Sequence, residues 1–185
     1  MTTLYTIDLK PLTALVHLAG KGDIRFYLNG VRVEFTHDKT VYVATDGHVL
    51  GVVSIPVTGG PSQPQAYIIP RDVVEKLKYG TLNEAQLSVY EDGRKGRIVH
   101  PNFEVGFSFI GGVYPDWHRV IPEKTSGEVA QFDVELLVQL MKCNKALGAK
   151  WPGHIKLSHN GSSGALVSLV DDRFVGVVMP FRYRR

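Results

Sequence analysis

One layout recurs three times along this chain and limits the folds open to it. A short apolar run at residues 4–7 reads as a strand, and an amphipathic helical stretch follows at 9–19. The same pair recurs at 67–69 with 72–77, and again at 129–132 with 134–147. The strand ends Ile7, Ile69 and Phe132 lie 62 and 63 residues apart (7 to 69, 69 to 132). Asp8 and Asp133 follow the first and third runs, where a short carboxylate accepts from the free amides of a helix start. Pro11 fits an early helical turn, in which its missing N–H costs little.

Each helix is followed by three runs rich in Val, Ile, Phe and Tyr with partial alternation. They span 25–35, 40–44 and 48–55 in the first unit, and 85–90, 96–100 and 104–109 in the second. In the third they span 154–158, 165–170 and 174–179. Asn29-Gly30, Asp46-Gly47, Asp92-Gly93 and Asn160-Gly161 mark turns or bulges. A second register mark supports the period: Gly51-Val52-Val53 and Gly176-Val177-Val178 are offset by 125 residues (51 to 176), as are Ile7 and Phe132. The expected fold is therefore α+β, built from three βαβββ units. Residues 56–64 link the first two units and 121–128 the second and third. A lone unit exposes an apolar face, so units should pack in pairs, and three is an odd number.

Composition fits a globular chain with an adequate core: 44% apolar and 21% charged residues over 185 positions. Cys143 is the single cysteine, so no intramolecular disulfide forms; it reads as a small buried core residue in a reducing compartment. No stretch approaches the roughly 18 apolar residues of a membrane span, and no signal peptide opens the chain. The net charge of +3 is compatible with a polyanionic partner but does not itself point to one. Asp46 and His48 have no partners at a catalytic or metal-ligand spacing, and the seven histidines are scattered. Asp46 reads instead as a turn residue serving local amides. The pairs Gly59-Gly60 and Gly111-Gly112 lack the Lys-Ser/Thr sequel of a phosphate loop. No enzyme, metal or organic cofactor is implied.

Three stretches, in order, carry a resemblance: Ala44-Thr45-Asp46-Gly47-His48-Val49-Leu50, then Tyr114-Pro115-Asp116-Trp117-His118-Arg119-Val120-Ile121-Pro122, then Val177-Val178-Met179-Pro180-Phe181-Arg182. Together they resemble the bacterial sliding clamp family, the beta subunit of DNA polymerase III. The resemblance implies a DNA-clamp fold with helices lining a ring and sheets outside. Residues 1–122 then correspond to a complete middle clamp domain, 123–127 to a linker, and 128–185 to the second half of the last domain. Met1 stands where a middle domain would begin, which implies a reduced clamp encoded by a bacterium, phage or mobile element and working in the cytoplasm.

The family binds partners in a groove between its middle and last domains, through short peptides in which a Gln precedes large apolar residues. Carried over by motif, one wall uses Leu28, Thr45, Gly47, His48, Val49 and Leu50. The floor uses Pro115, Arg119 and Val120. The third unit closes the groove with Val177, Val178, Met179, Pro180, Phe181 and Arg182. Val49 stands where the family usually has Arg, which removes a charge from the pocket edge, Trp117 where it has Tyr, and Phe181 where it has Met, this last narrowing and stiffening the pocket. Arg25, Phe26 and Tyr27 resemble a clamp loop that reaches toward duplex DNA. Lys10, Arg71, Lys76, Lys78, Lys142 and Lys145 would supply helix-borne phosphate contacts without sequence preference.

Two functions follow. One is a processivity factor that encircles or contacts duplex DNA and binds polymerases or repair proteins carrying clamp-binding peptides. A family ring holds twelve half-units, and four copies of a three-unit chain supply twelve, through dimers in which third units pair about a two-fold axis. The other is a non-ring adaptor or decoy that sequesters clamp partners. The exposed helix side of the third unit separates them, since Val134, Leu137, Val138 and Met141 offer an apolar surface that a monomer must cover another way.

Overall fold

Short carboxylates start both long helices. In the computed structural model, which describes residues 2–181, Asp8 opens α1 (Leu9–Leu15) by accepting from the Lys10 amide at 2.8 Å. A single helical turn, α2 (Arg71–Val74), belongs to the second unit. Asp133 opens α3 (Val134–Ala146) by accepting from the Glu135 amide at 2.8 Å. Each cap satisfies a donor that the helix leaves free. α1 buries Leu9, Pro11, Leu12, Ala14 and Leu15, most of its circumference, as a helix enclosed by other elements does. α3 buries only Leu140, Cys143 and Asn144, where it packs on α1 and on the 3-10 turn that follows it at Val16–Leu18.

The strands are β1 (Thr3–Asp8), β2 (Gly30–Phe35), β3 (Lys39–Thr45), β4 (Val49–Pro56), β5 (Gln65–Pro70) and β6 (Glu84–Val89). They continue with β7 (Lys95–His100), β8 (Phe103–Ser108), β9 (Lys156–Ser158), β10 (Ala165–Ser168) and β11 (Phe174–Val178). They form a four-stranded sheet, β1-β6-β7-β8, and a seven-stranded sheet, β5-β2-β3-β4-β11-β10-β9. The first two units exchange their leading strands. β1 pairs with β6, Ile7 opposite Ala85, and β5 pairs with β2, Ile69 opposite Val31. An aromatic seam closes the exchange: Tyr5 stacks on Phe35 at 3.9 Å between centroids, and Tyr67 meets Phe109 at 4.8 Å. Among the described residues no helix is long and apolar enough to cross a membrane.

The third unit joins the first edge to edge. β11 runs antiparallel to β4, with Gly176 opposite Gly51. These are the two glycines that marked the repeat, and the structure supplies their reason. A Cβ on Gly51 would lie 2.4 Å from Leu18 Cδ1 and 2.8 Å from both Leu15 Cδ2 and Phe174 Cε2; one on Gly176 would lie 2.6 Å from Phe174 Cε1. The bare backbone leaves a trough across the junction, and Phe174 with the end of α1 fills it. Strand alternation then sorts the side chains. Val49, Val53, Phe174 and Val178 enter the main core beneath the helices, whereas Leu50, Val52 and Val177 enter a second cluster on the other face.

Three expectations are corrected. Residues 129–132, expected as the leading strand of the third unit, form no strand. In the first two units that strand is held by the sister unit's sheet, and no sister unit lies between residues 120 and 128. Residues 25–29 do not belong to the following strand, because Phe26–Leu28 form a 3-10 turn. The Asn29 side chain fixes it, accepting from the Asp23 amide at 2.9 Å and donating to the Asp23 carbonyl at 2.8 Å. The second helix is only Arg71–Val74, shorter than the 72–77 expectation at its far end.

Gly51→Ala is expected to destabilise the fold by about 1–3 kcal/mol, the usual cost of overpacking a core. Denaturant unfolding measures it; an unchanged midpoint would show that the trough is not filled as described.

Candidate functional site

The second cluster marks the site. Its members Leu28, Val41, Val43, Leu50, Val52, Ile68, Tyr114 and Val177 sit on the sheet face turned away from the helices, with Tyr27, Ile110, Trp117 and Ile121 packed against them. Polar partners fix the covering segment. Trp117 Nε1 donates to Glu34 Oε1 at 3.2 Å, and Glu34 pairs with Arg32 at 2.6 Å. The Arg32 guanidinium in turn lies 5.6 Å from the Tyr114 ring centroid. Burial pushes the Tyr114 phenol well above its ordinary pKa. Sequence reasoning passed over Arg32 and Glu34. Their signal was polar alternation on β2 against inward Val31, Val33 and Phe35, on a strand whose outer face would otherwise be apolar.

The β3–β4 turn forms the rim. Thr45 Oγ1 accepts from the Gly47 amide at 3.0 Å, and Asp46 Oδ1 accepts from the His48 and Val49 amides at 2.8 and 2.9 Å. Asp46 is thus a turn-former, as its sequence context implied. Gly47 has φ +94°, and a Cβ there would stand 2.8 Å from Arg25 Nη1. The backbone angle favours glycine, and the missing side chain leaves room for the Arg25 guanidinium. Arg25 donates to the Asp46 carbonyl at 2.9 Å and grips Asp23 through two bonds of 3.0 and 2.6 Å. That grip holds the Asp23 carboxyl down at about 2, against an ordinary 3.8. The third unit reaches the rim through the Met179 amide, which donates to the His48 carbonyl at 2.9 Å.

Most of the carried-over groove residues come together. Leu28, Leu50 and Val177 lie in the cluster, and Thr45, Gly47 and His48 in the turn above it. Pro115, Arg119 and Val120 lie on the exposed side of the segment whose Tyr114, Trp117 and Ile121 face the cluster. Met179 is exposed beside His48, and Pro180 is half-buried. Val49 and Val178 are corrected as side-chain contributors. Both are buried in the helix-side core, because alternation turns them away from Leu50 and Val177. Phe181 is half-exposed beside Gln131 and Phe132, its amide donating to the Gln131 carbonyl at 2.6 Å. Arg182 lies outside the described residues.

The residues assigned to DNA divide into two groups. Arg25, Phe26 and Tyr27 stand at the rim. Arg25 is bonded to Asp23, Phe26 is exposed near Gly112, and Tyr27 packs against the second cluster. The others lie on the helix side. Arg71 is committed to structure, donating to the Ala19 carbonyl at 2.7 Å and to Glu75 at 2.8 Å. Lys76 pairs loosely with Asp72 at 3.6 Å. Lys78, Lys142 and Lys145 are exposed, and Lys10 is half-buried near Gly148. Among the described residues no three His, Cys, Asp or Glu side chains gather as a metal site.

Residues 7–116 match the family described as the DNA polymerase III beta subunit, central domain. The beta sliding clamp of Escherichia coli strain K12 is 34% identical over 103 residues, 55% of this chain and 28% of that protein. The beta sliding clamp of Vibrio cholerae is 27% identical over 142 residues, 75% of this chain and 38% of that protein. The chain therefore spans less than half the length of the curated relatives it matches. Among solved structures, a DNA polymerase sliding clamp from Pseudomonas aeruginosa shares the fold with a TM-score of 0.74 at 18% identity, over 97% of this chain and 67% of that one.

The depressed Asp23 carboxyl gives the rim a defined pH response. A carboxylate with a lowered folded pKa contributes stability above its ordinary value and loses it as pH falls through the folded one. The Arg25–Asp23 pair should therefore persist below pH 3.8 and weaken near pH 2. A carboxyl-carbon NMR titration checks this: Asp23 should titrate near 2 in the native chain and return toward 3.8 in Arg25→Met.

Proposed function

The chain belongs to the DNA polymerase III beta subunit family, and from that premise we propose that it is a sliding-clamp-like replication factor. It binds clamp-motif peptides in the groove and contacts duplex DNA through its helix side. The observation that carries the peptide half is the β4–β11 ladder, which sets Leu50 against Val177 and brings Met179 to the turn at Gly47 and His48. The arrangement suits a peptide. Apolar side chains at its edges would meet a Leu or Phe anchor, and a polar rim with close backbone access would orient the chain. Val120 and Met179 are exposed apolar side chains at its edges, 46% and 37% accessible.

Duplex contact falls to Lys10, Lys78, Lys142 and Lys145, with Lys76 only weakly engaged by its partner. Lysines directed at phosphates hold DNA without reading it, which suits a protein that moves along a duplex. Arg71 is withdrawn from this set by its bonds to Ala19 and Glu75. The rim loop with Phe26 remains a candidate second contact.

One observation favours a non-ring adaptor or decoy as the second reading: both groove walls come from a single copy of the chain, so peptide capture needs no closed ring. The DNA arm separates the two readings.

A labelled peptide with Gln followed by large apolar residues should raise polarisation when titrated with the chain. Val120→Glu combined with Met179→Glu should weaken it at least tenfold. Absence of binding at high protein concentration, or indifference to the double variant, would remove the groove. Duplex binding should fall steeply with salt, since each neutralised phosphate adds about 0.9 to the log–log slope. Lys142→Glu with Lys145→Glu should lower both affinity and slope. Affinity that ignores salt would leave the adaptor.

A further inference from the structure

We infer that the third unit completes itself on a second copy of this chain, residues 128–132 of each copy extending the free edge of β9 in the other. This names the assembly step of the clamp reading, but it rests on the fold and not on the groove or on DNA.

The template lies within the molecule. Each of the first two units gives its leading strand to the first post-helix strand of its sister, β1 to β6 and β5 to β2. Among the described residues the third unit has both halves of the same device and no sister. Among the described residues β9 bonds only β10, which leaves its other edge open, in the position that β5 fills beside β2. An unpaired edge is a template for another strand.

Residues 128–132 already hold the corresponding place beside their own unit. β1 stacks Tyr5 on Phe35 and shares a surface cavity with Phe35, Thr36 and the stretch from Val57 to Pro61, which are the strand end, the turn and the exit of the first unit. The leading segment of the third unit touches the equivalent features. Gly127 N donates to His159 O at 2.9 Å, Gly161 N to Glu128 O at 3.0 Å, and Phe181 N to Gln131 O at 2.6 Å. The segment is positioned but lacks its ladder.

Two further features fit a second copy. α3 leaves Val134 70% and Met141 38% exposed, and Val129 in the leading segment is 87% exposed, apolar surface that a second copy would cover. Glu128 and Asp133 flank the segment, whereas Lys156 stands on β9, so the facing strands carry opposite charges. One surface carries both donor and acceptor, which is the condition for an isologous two-fold contact.

The register follows from the template. Phe132 takes the place of Ile69, and the inward pair Ile155 and Leu157 takes that of Val31 and Val33. Gln131 of one copy then faces Lys156 of the other. Gln131→Cys with Lys156→Cys should give, under a mild oxidant, a reducible covalent dimer that neither single variant forms. Cys143 is fully buried and stays out of the reaction. Light scattering of the unmodified chain should give at least twice the 20.5 kDa of one copy. Val134→Glu with Met141→Glu, both on exposed positions, should return it to one copy while peptide polarisation persists. A single-copy mass at every concentration, or a double-cysteine variant that oxidises no further than the single ones, overturns the inference. Loss of peptide binding with the dimer intact would instead count against the groove alone.

Discussion

The ladder between β4 and β11 is the contact on which the rest depends. It is a backbone pairing between residues more than a hundred positions apart, and nothing in the local sequence compels it. What makes it form is the absence of side chains at two facing positions. Gly51 and Gly176 leave a trough that Phe174 crosses, while Leu15 and Leu18 press from above. The same contact brings α3 against α1, so the sheet and the helix layer close together. Helix packing alone would leave the third unit's strands without an edge to join, and strand pairing alone would leave α1 exposed on its far side. The two terms reinforce each other, as cooperative packing of a shared core requires.

From that ladder the site follows by alternation. A strand presents successive side chains to opposite faces, so the register that sends Val49 and Val178 into the core sends Leu50 and Val177 outward together. A slip of one residue would exchange the sets, burying the groove and exposing the core. The rim adds a second level of constraint that is polar. Arg25 ties the loop at Asp23 to the turn at Asp46, and Gly47 admits the guanidinium. An exposed ion pair of this kind contributes little to stability; its effect is to hold a turn in one shape.

Much of the architecture was legible from spacing. The helix starts at Asp8 and Asp133 and the glycine register at 51 and 176 are local facts with local causes, and they appear where the sequence placed them. The strand at 129–132 failed for a reason that a sequence window does not contain. Its composition suits a strand, but a strand needs a neighbour, and the neighbour would be another unit's edge. Residues 25–29 failed because Asn29 and Asp23, two polar residues in an otherwise strand-like run, bond each other and turn the chain. In the site, motif transfer works residue by residue from position in a stretch and takes no account of which face of a strand each side chain occupies. It therefore included Val49 and Val178, and it missed Arg32 and Glu34, the latter bonded to Trp117 across 83 residues of sequence.

Because the groove and the third unit's docking share one ladder, they are thermodynamically linked. A ligand that touches both Val120 and Met179 binds only when β11 is paired with β4, so it must favour the docked arrangement over any in which the third unit is loose. Saturation at a hundred times the dissociation constant corresponds to about 2.7 kcal/mol of added stability for a ligand that sees only the folded form. That is comparable to the cost of a crowded residue at Gly51. A partner bound at the proposed groove would therefore also secure α3 against α1, and with it the exposed face and open edge that the third unit presents outward. On the proposed reading, groove occupancy and the presentation of that face would be coupled through β11 and the α1–α3 packing that it secures.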